Sequence, residues 1–325
     1  MSSASLIAPL GGASASLIAP LGGASTSLIA PLGGASNVIV IHNYKILNKI
    51  GQGGFSSVYK AQHKKNDRIV ALKIEKTKDS KSILHESKIL SYLNRELLSN
   101  VVPTLFWYGT FGQMVGIATT FYSTSMTEIL SQNLDVTVKM DLCRQLINIM
   151  RQLHSVFIIH CDVKPDNFMV QHEDHSCKLV IIDFGMSRLF VDSEQTTKHL
   201  PNKMSESLFG TPKYASYNVH LGHKYSRRDD LISIGYLFMT IFNIVLPWSV
   251  LPLLPNNEID IAIVHLNHPH NLYRQDLKIY DNLVEYLRKT DFADILIPYF
   301  SDAYALKYDE APNYTDLVKQ YIFPG

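Results

Sequence analysis

The sequence predicts an α+β fold, small and mostly β in its first part and larger and mostly α after it. Three observations lead there. Short β-type runs broken by polar turns fill residues 44–75, short apolar segments spaced by glycines continue through 101–122, and from Val136 the apolar residues take helical spacing. With 325 residues, 46% of them hydrophobic, the chain can bury a substantial core.

Charge and cysteine usage narrow the function classes. A formal net charge of +1 gives no basis for a nucleic-acid binder or a polybasic membrane anchor. Cys143, Cys161 and Cys177 show neither metal-ligand spacing nor a paired framework, so a reducing compartment, cytoplasmic or nuclear, is expected and disulfides are not. No Lys or Arg precedes Lys45 and no sustained apolar core follows the first residues, so no secretory signal is read. The apolar run Leu231 to Leu246 is interrupted by Ser233, Gly235, Thr240 and Asn243 and falls short of the ~20 residues a bilayer needs. It reads as a helix buried on all sides.

Residues 4–36 are three copies of the unit (Ala/Thr)-Ser-Leu-Ile-Ala-Pro-Leu-Gly-Gly-Ala-Ser. Proline and a Gly-Gly pair break helix and strand alike, and the unit holds too few bulky residues for a core, so residues 1–36 are expected to be disordered. Docking of a partner through the repeated apolar patches, and neutral expansion of a tail, stay open beside that reading.

Strands are expected over Tyr44–Ile50, Ser57–His63 and Ile69–Glu75, with a polar turn at Lys64–Asp67. Between the first two lies Gly51-Gln52-Gly53-Gly54-Phe55-Ser56, a turn whose bare backbone N–H groups could approach phosphate oxygens, although alone it also reads as an ordinary hairpin turn. Period two puts Ile69, Ala71 and Lys73 on one face, which suits a purine with its phosphates. A helix over Asp79–Leu93 puts Ile83, Glu86 and Leu90 on one stripe. A lone Glu on a helix is usually solvated. A carboxylate on a buried stripe needs a partner, and Lys73 is the natural one.

Two further strands are expected within 101–122, ending in the connector Thr119-Thr120-Phe121-Tyr122. A helix over Val136–Val156 carries apolar residues at 138, 142, 146, 149 and 153. It leads into His160-Cys161-Asp162-Val163-Lys164-Pro165-Asp166-Asn167. Here an Asp to receive a hydroxyl proton is followed two residues on by a Lys to offset phosphate charge, and five on by an Asn able to hold a metal. A hairpin is expected from Phe168–Val170 and Lys178–Ile182 around a turn at His172–Ser176. It ends in Asp183-Phe184-Gly185, where a carboxylate and a sharp turn suit magnesium. The stretch from Asn256 reads as mostly helical. Its His265, His268 and His270 lack helical spacing or a carboxylate partner and are expected on the surface or in loops.

In order, the glycine turn, Lys73, Glu86, Asp162, Asn167 and Asp183 resemble the protein-kinase signature set over residues 44–322. Within that superfamily the chain resembles the casein kinase I group. The likeness is carried by Leu84-His85-Glu86-Ser87-Lys88-Ile89, Gly210-Thr211-Pro212-Lys213-Tyr214-Ala215-Ser216, His220-Leu221-Gly222, Ser226-Arg227-Arg228-Asp229-Asp230-Leu231 and Leu246-Pro247-Trp248. The resemblance implies a two-lobed kinase fold, with an N-lobe over 44–121 and a C-lobe over 122–322. It also implies a Ser/Thr protein kinase using ATP and Mg²⁺ on protein substrates, acidic ones among them, with a monomer expected and no nucleic acid or membrane partner. In this likeness Lys73 pairs with phosphates and Glu86, Asp162 deprotonates the substrate hydroxyl, Lys164 offsets charge on the moving phosphoryl group, and Asn167 and Asp183 bind magnesium. ATP is implied to lie against Ile50, Gly51, Gln52, Gly53, Gly54, Phe55, Ser56, Val58, Ala71, Lys73, Thr119, Phe121 and Tyr122, with Thr119 as gatekeeper. Asp230 would hydrogen-bond the catalytic-loop backbone.

The departures are specific. Ser56 stands where the third glycine of the turn is expected. Cys161 stands where most kinases of the parent group carry Arg before the catalytic Asp, and a thiol cannot pair with an activation-segment phosphate. Glu206 replaces a base often found four residues before Gly210, so control by phosphorylation of that segment is not expected. Lys213 keeps one base associated with acidic substrates, whereas Leu251–Asp260 has none. A catalytically weak interaction module, with the repeats as its docking arm, is the alternative from another class. Retention of all five signature residues argues against it.

Overall fold

The computed structural model describes residues 39–53, 56–76, 81–97, 101–173, 176–192, 198–252 and 265–321. The repeats at 4–36, Gly54 and Phe55 of the glycine turn, Asp79 and most of the Leu251–Asp260 stretch lie outside the described residues. Strands β1 (Val40–Ile41), β2 (Tyr44–Gln52), β3 (Ser56–His63), β4 (Ile69–Lys76), β5 (Leu105–Phe111) and β6 (Met114–Thr120) form one sheet in the order β1-β2-β3-β4-β6-β5. Every pairing in it is antiparallel. Helix α1 (Lys81–Glu96) follows β4. The rest is mostly helical. The chain divides into two compact units, one holding the residues up to Lys88 with Thr104–Phe121 and Val191–Lys198, the other Ile89–Pro103, Tyr122–Phe190 and His199 onward.

Alternation organises the sheet. Along β4 the side chains of Val70, Leu72 and Ile74 are buried and join Tyr44, Ala61 and Ala118 in one apolar cluster. Ile69, Ala71 and Lys73 therefore project from the other face. The register sets Lys73 between Val58 of β3 and Ile117 of β6, in the middle of the sheet. On α1, Ile83, Glu86 and Leu90 are all buried, as their three- and four-residue spacing requires.

The second unit is built on long helices. After β7 (Thr124–Ser125), α2 (Met126–Leu130) starts with a capping box, in which Ser125 Oγ accepts from the Glu128 amide and the Glu128 carboxylate accepts from the Ser125 amide. Helix α3 (Val136–Ser155) buries Leu142, Leu146, Ile149 and Leu153 as expected, but Val138 is 43% exposed. The burial stripe begins one residue later, at Lys139 and Met140. Strands β8 (Ile158–Ile159), β9 (Phe168–Glu173), β10 (Ser176–Ile181) and β11 (Arg188–Leu189) follow. The β9–β10 hairpin is longer than the pattern suggested. Pairing runs out to Glu173 opposite Ser176, so the residues assigned to a broad turn extend the ladder instead.

Short α4 (Tyr217–His220) precedes α5 (Arg227–Ile241), which buries an unbroken run from Asp229 to Met239. It ends five residues before Leu246, because Asn243 takes a left-handed conformation (φ 60) just past the cap. Among the described residues no helix is long and apolar enough to cross a membrane. Helices α6 (Pro269–Leu277), α7 (Tyr280–Leu287), α8 (Ala293–Ala305) and α9 (Tyr314–Lys319) complete the unit. His268, expected on the surface or in a loop, lies in the loop before α6 but is buried and caps that helix, its Nδ1 accepting from the His270 amide at 3.2 Å.

Helix α5 packs on α8 at Gly235, where a Cβ would come within 2.7 Å of Phe300 Cζ and 3.0 Å of Tyr299 Cε1. Both rings are fully buried and cannot swing away. Gly235→Ala should therefore destabilise the protein by about 1–3 kcal/mol through overpacking, despite the better helix propensity of Ala. A lowered urea midpoint at unchanged m-value would show it.

Candidate active site

Two groups of side chains concentrate the chemistry, each inside one unit. In the first, Lys73 Nζ lies 2.8 Å from Glu86 Oε2, with the two side chains 16% and 5% exposed. Such a pair is costly to break, because removing either partner leaves an uncompensated charge and costs about 3–5 kcal/mol on the general scale. β2 runs up to the glycine turn and β3 away from it, with Gly51 opposite Val58 and Gln52 opposite Ser57. The Gly53 amide donates to Ser56 O at 2.8 Å, while Ser57 Oγ donates to Gln52 Oε1 at 3.1 Å and Lys49 Nζ bonds the same oxygen. Ser56 is buried in the sheet.

Ile50 is exposed, and Ala71 pairs with Lys60 on one side and Thr119 on the other. Lys60 Nζ sits 4.7 Å from the Phe121 ring centre, and Tyr122 belongs to the second unit.

In the second unit the loop 160–167 is held from beneath by Asp230, near the start of α5. Asp230 Oδ2 accepts from the His160 amide at 2.7 Å and Oδ1 from the Cys161 amide at 3.0 Å. His154 Nε2 lies 3.1 Å from Oδ2. All four residues are buried. Cys161 has φ 66 and Asp183 φ 62, left-handed conformations that cost a non-glycine residue about 1–3 kcal/mol unless neighbouring structure enforces them. His160 also ties the loop to the end of β10, its Nε2 3.1 Å from Ile182 O and its carbonyl accepting from Ser187 Oγ at 3.2 Å.

On this base Asp162, Lys164 and Asn167 meet. Lys164 Nζ donates to Asp162 Oδ2 at 2.7 Å, and Asn167 Nδ2 donates to the Asp162 carbonyl at 2.8 Å and to Oδ2 at 3.2 Å. The Ile182 amide donates to Asn167 O at 2.8 Å, which brings the chain leading into Asp183 beside Asn167. Thr211 completes the group. Its amide and hydroxyl donate to Asp162 Oδ1 at 2.9 and 2.7 Å, and Lys164 Nζ donates to its Oγ1 at 3.0 Å. Gly210 permits this approach, since at φ 80 a Cβ would lie 2.7 Å from Cys161 O and 2.6 Å from Tyr225 Oη. The Gly210-Thr211 string carries a family likeness in the sequence, but nothing in its pattern ties Thr211 to Asp162, 49 residues away.

Residues 44–292 match the protein kinase domain family. The chain belongs to the protein kinase family. It is accordingly a kinase domain that begins with an antiparallel sheet and continues as a mostly helical region, and its activity is that of a protein phosphotransferase, for which ATP is the expected donor.

Oxygen donors suit the Mg²⁺ such transfers use. Asn167 spends its NH₂ on Asp162, and among the described residues its Oδ1 accepts no hydrogen bond. The Asp183 carboxylate follows one residue after Ile182, and its Oδ1 lies 3.4 Å from the Gly185 amide. Among the described residues no set of three or more His, Cys, Asp or Glu could hold a metal alone.

In this kinase, burial pushes the Cys161 thiol well up from its ordinary value of 9.0, with Arg188 beside it acting in the opposite direction. Cys143 is raised likewise by burial. Both are fully buried, whereas Cys177 is exposed. Alkylation of the native protein at pH 8 should modify Cys177 alone, as peptide mapping would show. Since the folded Cys161 keeps its proton above 9.0, its contribution to stability is complete below that pH and declines above it, where only the unfolded chain ionises.

Asp230→Ala would orphan two buried amides and the His154 ring. A loss of about 3 kcal/mol or more is expected, since each unpaired buried donor costs about 1–3 kcal/mol. Asp230→Asn, which keeps one acceptor, should lose less. Urea unfolding of the two variants would rank them.

Proposed function

We propose that this kinase is a Ser/Thr protein kinase of casein kinase I type, active without phosphorylation of its activation segment. The observation that carries the reading is the Lys164 ammonium, which bridges Asp162 Oδ2 at 2.7 Å and Thr211 Oγ1 at 3.0 Å. A cation there sits next to the carboxylate that receives the substrate proton, where it can offset charge on a transferring phosphoryl group. Lys at this position is the Ser/Thr pattern, and the 84–89, 210–216 and 226–231 strings resemble the casein kinase I group.

Under this reading ATP supplies the phosphoryl group and Mg²⁺ neutralises its phosphates. Asp162 accepts the proton of the attacking Ser or Thr hydroxyl and orients the oxygen, while Thr211 and Asn167 hold its carboxylate in place. Asn167 and Asp183 contribute oxygens to the metal. Lys73, held by Glu86, pairs with phosphate oxygens, and the glycine turn with Ile50, Val58, Ala71, Thr119, Phe121 and Tyr122 forms the nucleotide's surroundings. Cys161 supplies no charge to a phosphate. The loop is held by Asp230 instead, a contact that needs no modification.

Lys213 is the base kept from the casein kinase I pattern for an acidic substrate, and it is exposed. One exposed charge is worth about 0.2–1 kcal/mol, so acidic or phosphorylated flanking residues should raise kcat/KM by less than about fivefold.

The test is phosphate incorporation into Ser, Thr and Tyr peptides in neutral, acidic and primed versions, by the parent and by Asp162→Asn. Transfer to Ser and Thr only is expected, falling by about 10²–10⁴-fold in the variant. Equal incorporation by the two proteins, or transfer to Tyr, would overturn the assignment. Phosphatase treatment of the parent should leave its rate unchanged.

A further inference from the structure

Lys278, just past the end of α6, is 0% exposed and has no carboxylate within ion-pair distance among the described residues. An ammonium in the interior needs strong acceptors to offset its lost hydration. Nζ finds two backbone carbonyls, Ala215 O at 2.6 Å and Pro212 O at 2.9 Å, together with His220 Nε2 at 3.2 Å. The rings of Trp248 and Tyr236 face it, with centres 5.0 and 5.1 Å away. Burial, reinforced by Arg274, holds its pKa well below the ordinary lysine value. A neutral amine would still carry two N–H donors for the two carbonyls.

Those carbonyls belong to the segment that begins at Thr211. The two between them are gripped as well: Trp248 Nε1 donates to Lys213 O at 2.7 Å, and Ser233 Oγ donates to Tyr214 O at 2.7 Å. His220 Nε2 also lies 3.1 Å from Pro212 O, so four consecutive carbonyls, 212 to 215, are fixed from the interior by four side chains, and Lys278 holds the first and last. The amides of Tyr214 and Ala215 both turn back to Thr211 O at 2.9 Å. A shift of the segment would therefore be passed directly to Thr211, whose amide and hydroxyl meet Asp162.

We propose that Lys278 is a positioning residue for phosphoryl transfer: by clamping Pro212 O and Ala215 O it sets Thr211 against Asp162 and fixes the backbone of the 211–215 segment. The proposal rests on the kinase reading of Asp162, but its structural half is measurable without any activity.

The experiment compares the parent with Lys278→Met, which keeps length and apolar volume but removes the donors, and with Lys278→Arg, which keeps charge and donors. Hydrogen exchange of peptides covering 211–216 and of α5, thermal unfolding, kcat, and KM for a Ser peptide and for ATP are measured on the full chain. In Lys278→Met, exchange should rise in 211–216 while α5 keeps its protection. kcat should fall by about 10²-fold, the scale of an ångström-level misplacement, with KM for ATP unchanged. Lys278→Arg should recover part of both signals.

Unchanged exchange in 211–216 in the Met variant would overturn the proposal, as would parent-level kcat with raised exchange. Failure of the Met variant to fold, or exchange raised evenly through the helical unit, would also overturn it and make Lys278 a stability residue alone. Parent protein inactive on every peptide, with the local rise in exchange still present, would instead retire the kinase reading and leave the clamp standing.

Discussion

Asp230 takes three buried N–H groups that would otherwise be orphaned: the amides of His160 and Cys161 and the ring of His154. Its charge lies in the first turn of α5, where the helix N-terminus favours an anion, and this offsets part of the cost of burying it. The benefit is geometric. Cys161 is held left-handed at φ 66, a conformation a cysteine would not keep on its own, and the turn it makes presents Asp162.

From Asp162 the constraint passes outward. Its carboxylate is engaged by Lys164 and Asn167 of its own loop and by Thr211, so two distant stretches of chain meet on one group. The same loop bonds Ile182 and Ser187, which anchors the segment around Asp183. A satisfied polar network in a low-dielectric interior is rigid because each partner's loss would leave another unpaired. Rigidity of this kind is what proton transfer and in-line phosphoryl transfer require of their surroundings. Cys161 lies inside this network, its thiol fully buried and its amide held by the Asp230 carboxylate from below.

The first unit solves a different problem. Lys73 has to keep a charged end on a strand whose other face packs Val70, Leu72 and Ile74 into the core. Placement at the centre of the sheet fixes its backbone on both sides, and Glu86 on α1 fixes its ammonium. Pairing β4 with α1 in this way makes the lysine's position depend on the helix, which is how a lone strand residue acquires a defined geometry.

Periodicity and spacing made a large part of this legible. Alternation along Ile69–Lys73 put Lys73 on the face opposite the core, and the Ile83–Glu86–Leu90 stripe announced a buried carboxylate in need of a cation. The two- and five-residue offsets from Asp162 similarly brought Lys164 and Asn167 to it, since a short loop leaves few alternatives. Packing between distant elements decided the rest. Val138 matched the helical stripe yet is exposed, and His268, read as a surface or loop residue, is a buried cap in the loop before α6. Thr211 reaches Asp162 across 49 residues, and Lys278 grips the carbonyls of Pro212 and Ala215. Every residue carries a carbonyl, so no side-chain pattern marks which ones a lysine will hold; only the folded path of the backbone makes those two converge.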